Sequence, residues 1–259
     1  MSEFNFQGAV AVVTGGAGGI GRALAARLTA EGSRVAIVDL DRASAEEPAA
    51  ALPGAIGLAA DVGDPVAVRA MVAAVESELG PIDIYCSNAG VATGGALGDD
   101  EAWDLSWRVH GLAHIYAARE VLPGMQARGS GALVITASAA GLLMMMQSAP
   151  YTVTKHASVS IAEWLSVNYG GQGVQVHCLC PQGVRTPMVT SDPRGESEVA
   201  SSGRIIEPSE VADAVVAAVR ANQFLVLPHP EVHGYEQFKV EDRDRWLAGM
   251  RRLLARIAG

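Results

Sequence analysis

Tyr151 and Lys155 stand four residues apart in a stretch patterned as a helix, so a phenol and an ammonium share one face. Ser138 lies just past the carboxyl end of a short apolar run, 132–137. A hydroxyl, a phenol and an ammonium converging on one spot make a proton-transfer site. A free phenol titrates at about 10. An ammonium about 5 Å away, at an effective dielectric near 20, favours phenolate by roughly 3 kcal/mol, or about 2 pKa units. Such a phenolate takes a proton from an alcohol near neutral pH, while the serine hydroxyl stabilises charge on the same oxygen. Lys155 and Lys239 are the only two lysines, which sharpens the question of what Lys155 does. A surface Tyr–Lys pair beside a turn serine has the same spacing, and the surrounding elements decide between the two.

The run Gly15-Gly16-Ala17-Gly18-Gly19-Ile20-Gly21 supplies the context. It follows an apolar strand candidate, 9–14, and precedes a helical pattern that starts at Arg22. A glycine turn between strand and helix lets backbone N–H groups approach a pyrophosphate, and the helix N-terminus adds partial positive charge there. Asp39 closes the next strand candidate, 34–39, at the distance of roughly twenty residues expected for a ribose-binding acid. The order of strand, glycine turn, helix, strand and acid points to a nicotinamide dinucleotide. The positive charge of an oxidised nicotinamide pushes Tyr151 further toward phenolate.

Strand candidates recur at 9–14, 34–39, 56–60, 82–87, 132–137, 175–179 and 224–227. Helical patterns lie between them at 22–31, 65–79, 101–125, 150–169 and 208–221. Short apolar strands alternating with helices predict an α/β, Rossmann-type, doubly wound fold. Seven parallel strands would carry helices on both faces in a single domain over 1–259. The polar stretch 191–204 carries Pro193, Gly195 and Gly203 and reads either as a lid over the cleft or as a surface loop. The tail, 240–259, reads as a C-terminal helix with Trp246, Leu247, Met250, Leu253, Leu254 and Ile257 on one stripe. That stripe docks on the body or on another subunit.

Composition narrows the partners. A formal net charge of −9 argues against nucleic acid. No run approaches the roughly eighteen apolar residues of a membrane span, and residues 1–7 lack the features of a signal peptide. Cys86, Cys178 and Cys180 sit in strand-like runs and read as buried, reduced thiols of a cytoplasmic protein. No metal site is expected, because Cys178 and Cys180 lack companion ligands.

Taken together, the chain resembles the classical short-chain dehydrogenase/reductase family over essentially its whole length. The resemblance rests on Thr14-Gly15-x-x-x-Gly19-x-Gly21, Asp61-Val62, Asn88-Ala89-Gly90, Ser138, Tyr151-x-x-x-Lys155 and the run Pro181-Gln182-Gly183-Val184-Arg185-Thr186-Pro187-Met188. It implies that Asp61 contacts the adenine beside Val62, that Asn88 steadies the sheet next to Ala89 and Gly90, and that Tyr151 is the general acid/base. It further implies that Lys155 holds the nicotinamide ribose, and that Thr186, with Val184 near it, binds the carboxamide. Homodimers or homotetramers through the helices at 101–125 and 150–169 are implied in the same way.

The choice of cofactor is physical. Asp39 accepts from both adenosine ribose hydroxyls and repels a 2′-phosphate by several kcal/mol at effective dielectric 20. Neither Leu40 nor Ala17 offers a cation, although Arg42 is close in sequence. NAD is therefore expected over NADP. Three departures stand out. His110 occupies the family's relay asparagine position, as a relay group or as a packed helix residue. Gln182 displaces the usual glycine after Pro181, and Leu227-Pro228-His229-Pro230 replaces the usual C-terminal ending. Leu142, Leu143 and Met144 to Met146 suggest an apolar, adaptable pocket, or core packing. Arg185 and Arg194 are weak candidates for gripping an acidic substrate. The expected activity interconverts a secondary alcohol and a ketone with NAD. The rivals are an NADP-dependent carbonyl reductase and a catalytically silent dinucleotide sensor.

Overall fold

A computed structural model describes residues 4–190 and 203–258 of the chain. Residues 191–202 of the expected lid, Arg194 among them, lie outside the described residues. The strands are β1 Val10–Thr14, β2 Arg34–Asp39, β3 Ile56–Ala59, β4 Ile84–Ser87, β5 Gly131–Thr136, β6 Val174–Leu179 and β7 Leu225–Val226. They form one seven-stranded sheet in the order β3-β2-β1-β4-β5-β6-β7. Every pairing is parallel, for example Val12 with Ala36 and Cys86 with Val134. This is the expected doubly wound sheet.

Every residue of β1, β4, β5 and β6 is buried; β1, β4 and β5 accordingly read as nearly continuous apolar runs, whereas β6 also buries Gln175 and His177. Alternate side chains feed two cores. Val10 and Val12 pack with Val72, Val121 and Leu165 on one face. Ala11 and Val13 pack with Leu24, Leu28 and Val215 on the other. The helices around the sheet are α1 Gly19–Ala30, α2 Arg42–Ala50, α3 Pro65–Leu79, α4 Asp100–Trp107, α5 Ala113–Arg128, α6 Ala149–Tyr169, α7 Pro187–Thr190, α8 Pro208–Ala221, α9 Glu231–Glu241 and α10 Arg243–Ala258.

Three elements differ from expectation. Helix α2 was not legible, because its sequence has little apolar periodicity and carries Pro48; Asp41 starts it by accepting from the Ser44 N–H at 2.8 Å. The helix expected over 101–125 is interrupted by a π turn, Arg108–Leu112, in which the Ala113 N–H reaches back to the Arg108 carbonyl. The tail is two helices meeting at Asp242, which caps the second through the Arg245 N–H at 2.9 Å. Of the apolar stripe on α10, Trp246 is buried and Leu254 exposed.

The strand order reverses between β1 and β4. Their carboxyl ends therefore open the crevice in which such sheets bind ligands.

Candidate active site

The glycine turn lies in that crevice. Gly19 has φ +52°, and a Cβ on it would come within 2.9 Å of Thr186 Cγ2. A Cβ on Gly21 would sit 2.1 Å from the Gly15 carbonyl oxygen and 2.8 Å from Asn88 Nδ2. The turn can be this tight only without side chains. Ile20 is half-buried behind it. Gly18 starts α1 with no side-chain cap and no acid in the first turn. The first amides of α1 are thus left to an anion, and that is the donor set a pyrophosphate needs.

Asp39 turns back from the end of β2 to the same place. Its Oδ2 accepts from the Ala17 N–H at 3.0 Å and its Oδ1 from the Leu40 N–H at 2.8 Å. Leu40 is exposed. The nearby cations are paired: Arg42 with Glu46 at 2.7 Å, and Arg22 with Glu47 at 2.9 Å. Asp61 accepts from the Gly63 N–H at 2.8 Å, with Val62 half-buried beside it.

Asn88 ties three strands together. Its Nδ2 donates to the Thr14 carbonyl at 3.0 Å, and its Oδ1 accepts from Thr136 Oγ1 at 3.2 Å. Thr14 opens the glycine motif in the sequence, and the structure gives it a bonding role. Its Oγ1 accepts from the N–H groups of Asn88 and Ala89 at 3.0 and 3.1 Å. A threonine closing β1 immediately before the glycines was the available signal. Gly90 faces the catalytic side, where a Cβ would lie 3.7 Å from His110 Nε2 and 3.8 Å from Lys155 Nζ.

Ser138 follows β5 and caps the short 3₁₀ turn Ala139–Gly141, its Oγ accepting from the Ala140 N–H at 3.1 Å. Helix α6 begins at Ser148, which accepts from the Tyr151 N–H at 3.2 Å and so places Tyr151 in the first turn. One turn later Lys155 is buried, its Nζ donating to the Thr136 carbonyl at 2.9 Å and lying 5.7 Å from the centre of the Tyr151 ring. Ser138, Tyr151 and Lys155 therefore converge at the carboxyl end of β5, across the crevice from the glycine turn.

The electrostatics correct one expectation. Burial pushes the Tyr151 phenol above its ordinary value, against a hydrogen bond with Ser138 that pulls it down; Cys180 adds to the rise. The net direction is opposite to the depression expected from the Lys155 ammonium, which donates to the Thr136 carbonyl and lies over the ring. Burial likewise pushes Lys155 down to about 8, with the Cys180 and Cys178 thiols opposing.

His110 sits in the π turn and is fully buried. Its Nε2 accepts from the Val91 N–H at 3.0 Å, so the ring proton is on Nδ1, which donates to Thr154 Oγ1 at 3.0 Å. Thr154 in turn donates to the Pro150 carbonyl at 2.7 Å. The His110 ring packs edge-on against Tyr151, with centroids 5.3 Å apart. Burial, Lys155 and His114 push its pKa down to about 2. Both ring nitrogens are thus engaged, Nε2 with Val91 and Nδ1 with Thr154. His114, one turn on, was missed. It bonds Ser87 Oγ at 2.7 Å and is pushed down to about 3 by burial. Its spacing from His110 on one helical face was the available signal.

Val184 is buried, and the bonds pairing its segment with Ile206 run through its neighbours: Ile206 N–H to the Gly183 carbonyl at 3.0 Å, and Arg185 N–H to the Ile206 carbonyl at 2.9 Å. Arg185 pairs with Glu207 at 2.8 Å. Leu142 is in the core, whereas Leu143 and Met144 to Met146 are half-buried. Lys239 is buried and donates to the Leu142 and Leu143 carbonyls at 2.5 and 3.0 Å, tying α9 to this segment.

Comparison with known proteins supports what the geometry suggests. The family model for short chain dehydrogenase matches residues 9–197. D-threitol dehydrogenase of Mycolicibacterium smegmatis is 35% identical over 228 residues, 83% of this chain and 86% of that protein. Meso-2,3-butanediol dehydrogenase of Serratia marcescens is 34% identical over 224 residues, 82% of this chain and 87% of that protein. A short chain dehydrogenase/reductase from Burkholderia phymatum, crystallised in complex with NAD, superimposes with a TM-score of 0.84 at 27% identity, covering 93% and 96% of the two chains.

Proposed function

The chain belongs to the short-chain dehydrogenase family and is an oxidoreductase of alcohols and ketones, and from that premise we propose that it uses NAD to interconvert an apolar secondary alcohol and its ketone, with Tyr151 as general acid/base. The observation that carries the proposal is the convergence of Ser138, Tyr151 and Lys155 opposite the glycine turn.

The residues present fit a dinucleotide. The uncapped start of α1 receives the pyrophosphate, and Asp39 accepts from the adenosine ribose. Asp61 and Val62 border the adenine, Asn88, Ala89 and Gly90 support the adjoining sheet edge, and Val184 and Thr186 hold the carboxamide. A bound nicotinamide supplies the hydride chemistry. Ser138 holds the substrate oxygen and stabilises charge developing on it. Tyr151 takes or returns the proton of that oxygen. Burial raises its pKa in the chain alone, and the positive charge of an oxidised nicotinamide would lower it when bound. Lys155 binds the ribose and keeps positive charge beside the phenol. His110 positions Tyr151 through its ring and through Thr154 rather than passing protons.

Asp39, together with the pairing of Arg42 and Arg22, supports NAD over NADP, and the NAD-bound relative supports it further. Half-buried Met144, Met145 and Met146 support an apolar substrate. Exposed Trp107, Val153, Trp164 and Val167 on α4 and α6 support association through these helices into a dimer or tetramer. The test is a screen of secondary alcohols and ketones with purified protein, following the absorbance of reduced nicotinamide with each cofactor. NAD reduction by an apolar secondary alcohol is expected. Turnover of NADPH at much higher kcat/KM than any NAD reaction overturns the proposal.

A further inference from the structure

We propose that His229, which lies outside the matched family region, is a positioning residue that sets the loop 181–186 for the nicotinamide end of the cofactor. The loop follows β6, and His229 follows β7. The two strands leave the sheet side by side, with the Cys180 N–H on the Val226 carbonyl at 2.9 Å. His229 then reaches across with a ring that is 2% exposed. Its Nδ1 accepts from the Gln182 N–H at 3.2 Å. A backbone N–H can only donate, so the ring proton is on Nε2. Nε2 lies 3.1 Å from the Gly183 carbonyl oxygen and 3.0 Å from that of Arg204, and donates to both.

This one side chain thus holds two successive residues of the loop, Gln182 through its N–H and Gly183 through its carbonyl, and fastens them to Arg204. The other side of the loop is tied to the catalytic turn, the Ala139 N–H donating to the Pro181 carbonyl at 2.8 Å beside Ser138. Farther along, Thr186 rests against Gly19 of the dinucleotide turn. The loop therefore spans from the proton-transfer residues to the phosphate cradle, bordering the space a nicotinamide must occupy for hydride and proton to move at one substrate carbon. The two departures at Gln182 and at Leu227-Pro228-His229-Pro230 are halves of one device. Where a glycine would be free to move, the Gln182 peptide is held by a ring from the chain's C-terminal part.

The proposal rests on the NAD reading, and its test separates the two. NAD and ADP-ribose share everything except the nicotinamide, so calorimetric titration of each reads the loop without catalysis. His229→Phe keeps the ring's volume and removes both bonds. It is expected to weaken NAD about tenfold, the equivalent of one lost net hydrogen bond, and to leave ADP-ribose within twofold. Two half-replacements back it up if the Phe variant fails to fold. His229→Asn keeps an acceptor for Gln182, and His229→Gln keeps a donor for the two carbonyls; each is expected to recover part of the loss. Equal weakening of both ligands, or no change in either, overturns the proposal and leaves the NAD reading intact. Wild-type protein that binds neither ligand removes the NAD reading and this proposal with it.

Discussion

Asp39 offers the most quantitative handle on the account. Its carboxylate is held in place by two backbone donors, Ala17 N–H at 3.0 Å and Leu40 N–H at 2.8 Å, and cannot swing away from an added phosphate without losing them. A 2′-phosphate about 5 Å from it is repelled by roughly 3 kcal/mol per pair of unit charges at effective dielectric 20. Asp39 is half-exposed, so screening cuts this to about 1.5–2 kcal/mol, a factor of roughly 10–30 against NADP. Arg42 and Arg22 are committed to Glu46 and Glu47, so neither is free to offset the repulsion. Asp39→Ala also forfeits the bonds to the ribose hydroxyls, about 1.5–3 kcal/mol for a charged acceptor. The two terms together are about 3–5 kcal/mol, so the ratio of kcat/KM for NAD over NADP should fall by roughly two to three and a half powers of ten, measured as initial rates with one alcohol and both cofactors. Asp39→Asn retains one acceptor for the Ala17 N–H, removes the charge, and should show only the smaller, electrostatic part. A ratio that moves less than threefold in both variants refutes the role given to Asp39.

Two further outcomes follow from buried geometry. His110, at about 2 when folded against 6.5 when free, binds a proton in the unfolded chain that the folded chain refuses, so it costs stability as pH falls below 6.5. Between pH 6.5 and 4.5 this amounts to about 2 kcal/mol. His110→Asn should flatten the pH dependence of urea unfolding by that much, and parallel pH profiles would contradict the assigned burial. Gly21→Ala places a methyl 2.1 Å from the Gly15 carbonyl oxygen. NAD affinity by titration should drop by an order of magnitude or more, and affinity close to wild type would mean the turn is not the cradle described.

Much of the fold was legible because a parallel sheet buries both faces of each strand, so β1 and β5 stand out as largely unbroken apolar runs. The Tyr–Lys pair was legible because spacing along a helix fixes a shared face. What escaped was set by tertiary contacts. The Lys155 ammonium was expected to lower the phenol, and the opposing burial around Tyr151 is set by tertiary packing that spacing along a helix does not carry. The roles of His110 and His229 depend on which backbone groups meet their ring nitrogens, and periodicity carries no trace of that. The π turn at Arg108–Leu112 replaces one hydrogen-bond register by another within an unchanged helical pattern.

The central claim is that the Tyr151 phenol moves the proton while the dinucleotide binds independently of it. Single-turnover hydride transfer with Tyr151→Phe, alongside NAD titration of the same variant, tests this most directly. The account predicts a rate lower by about 10²–10⁴ with NAD affinity within threefold of wild type. A rate within a few-fold of wild type would contradict it.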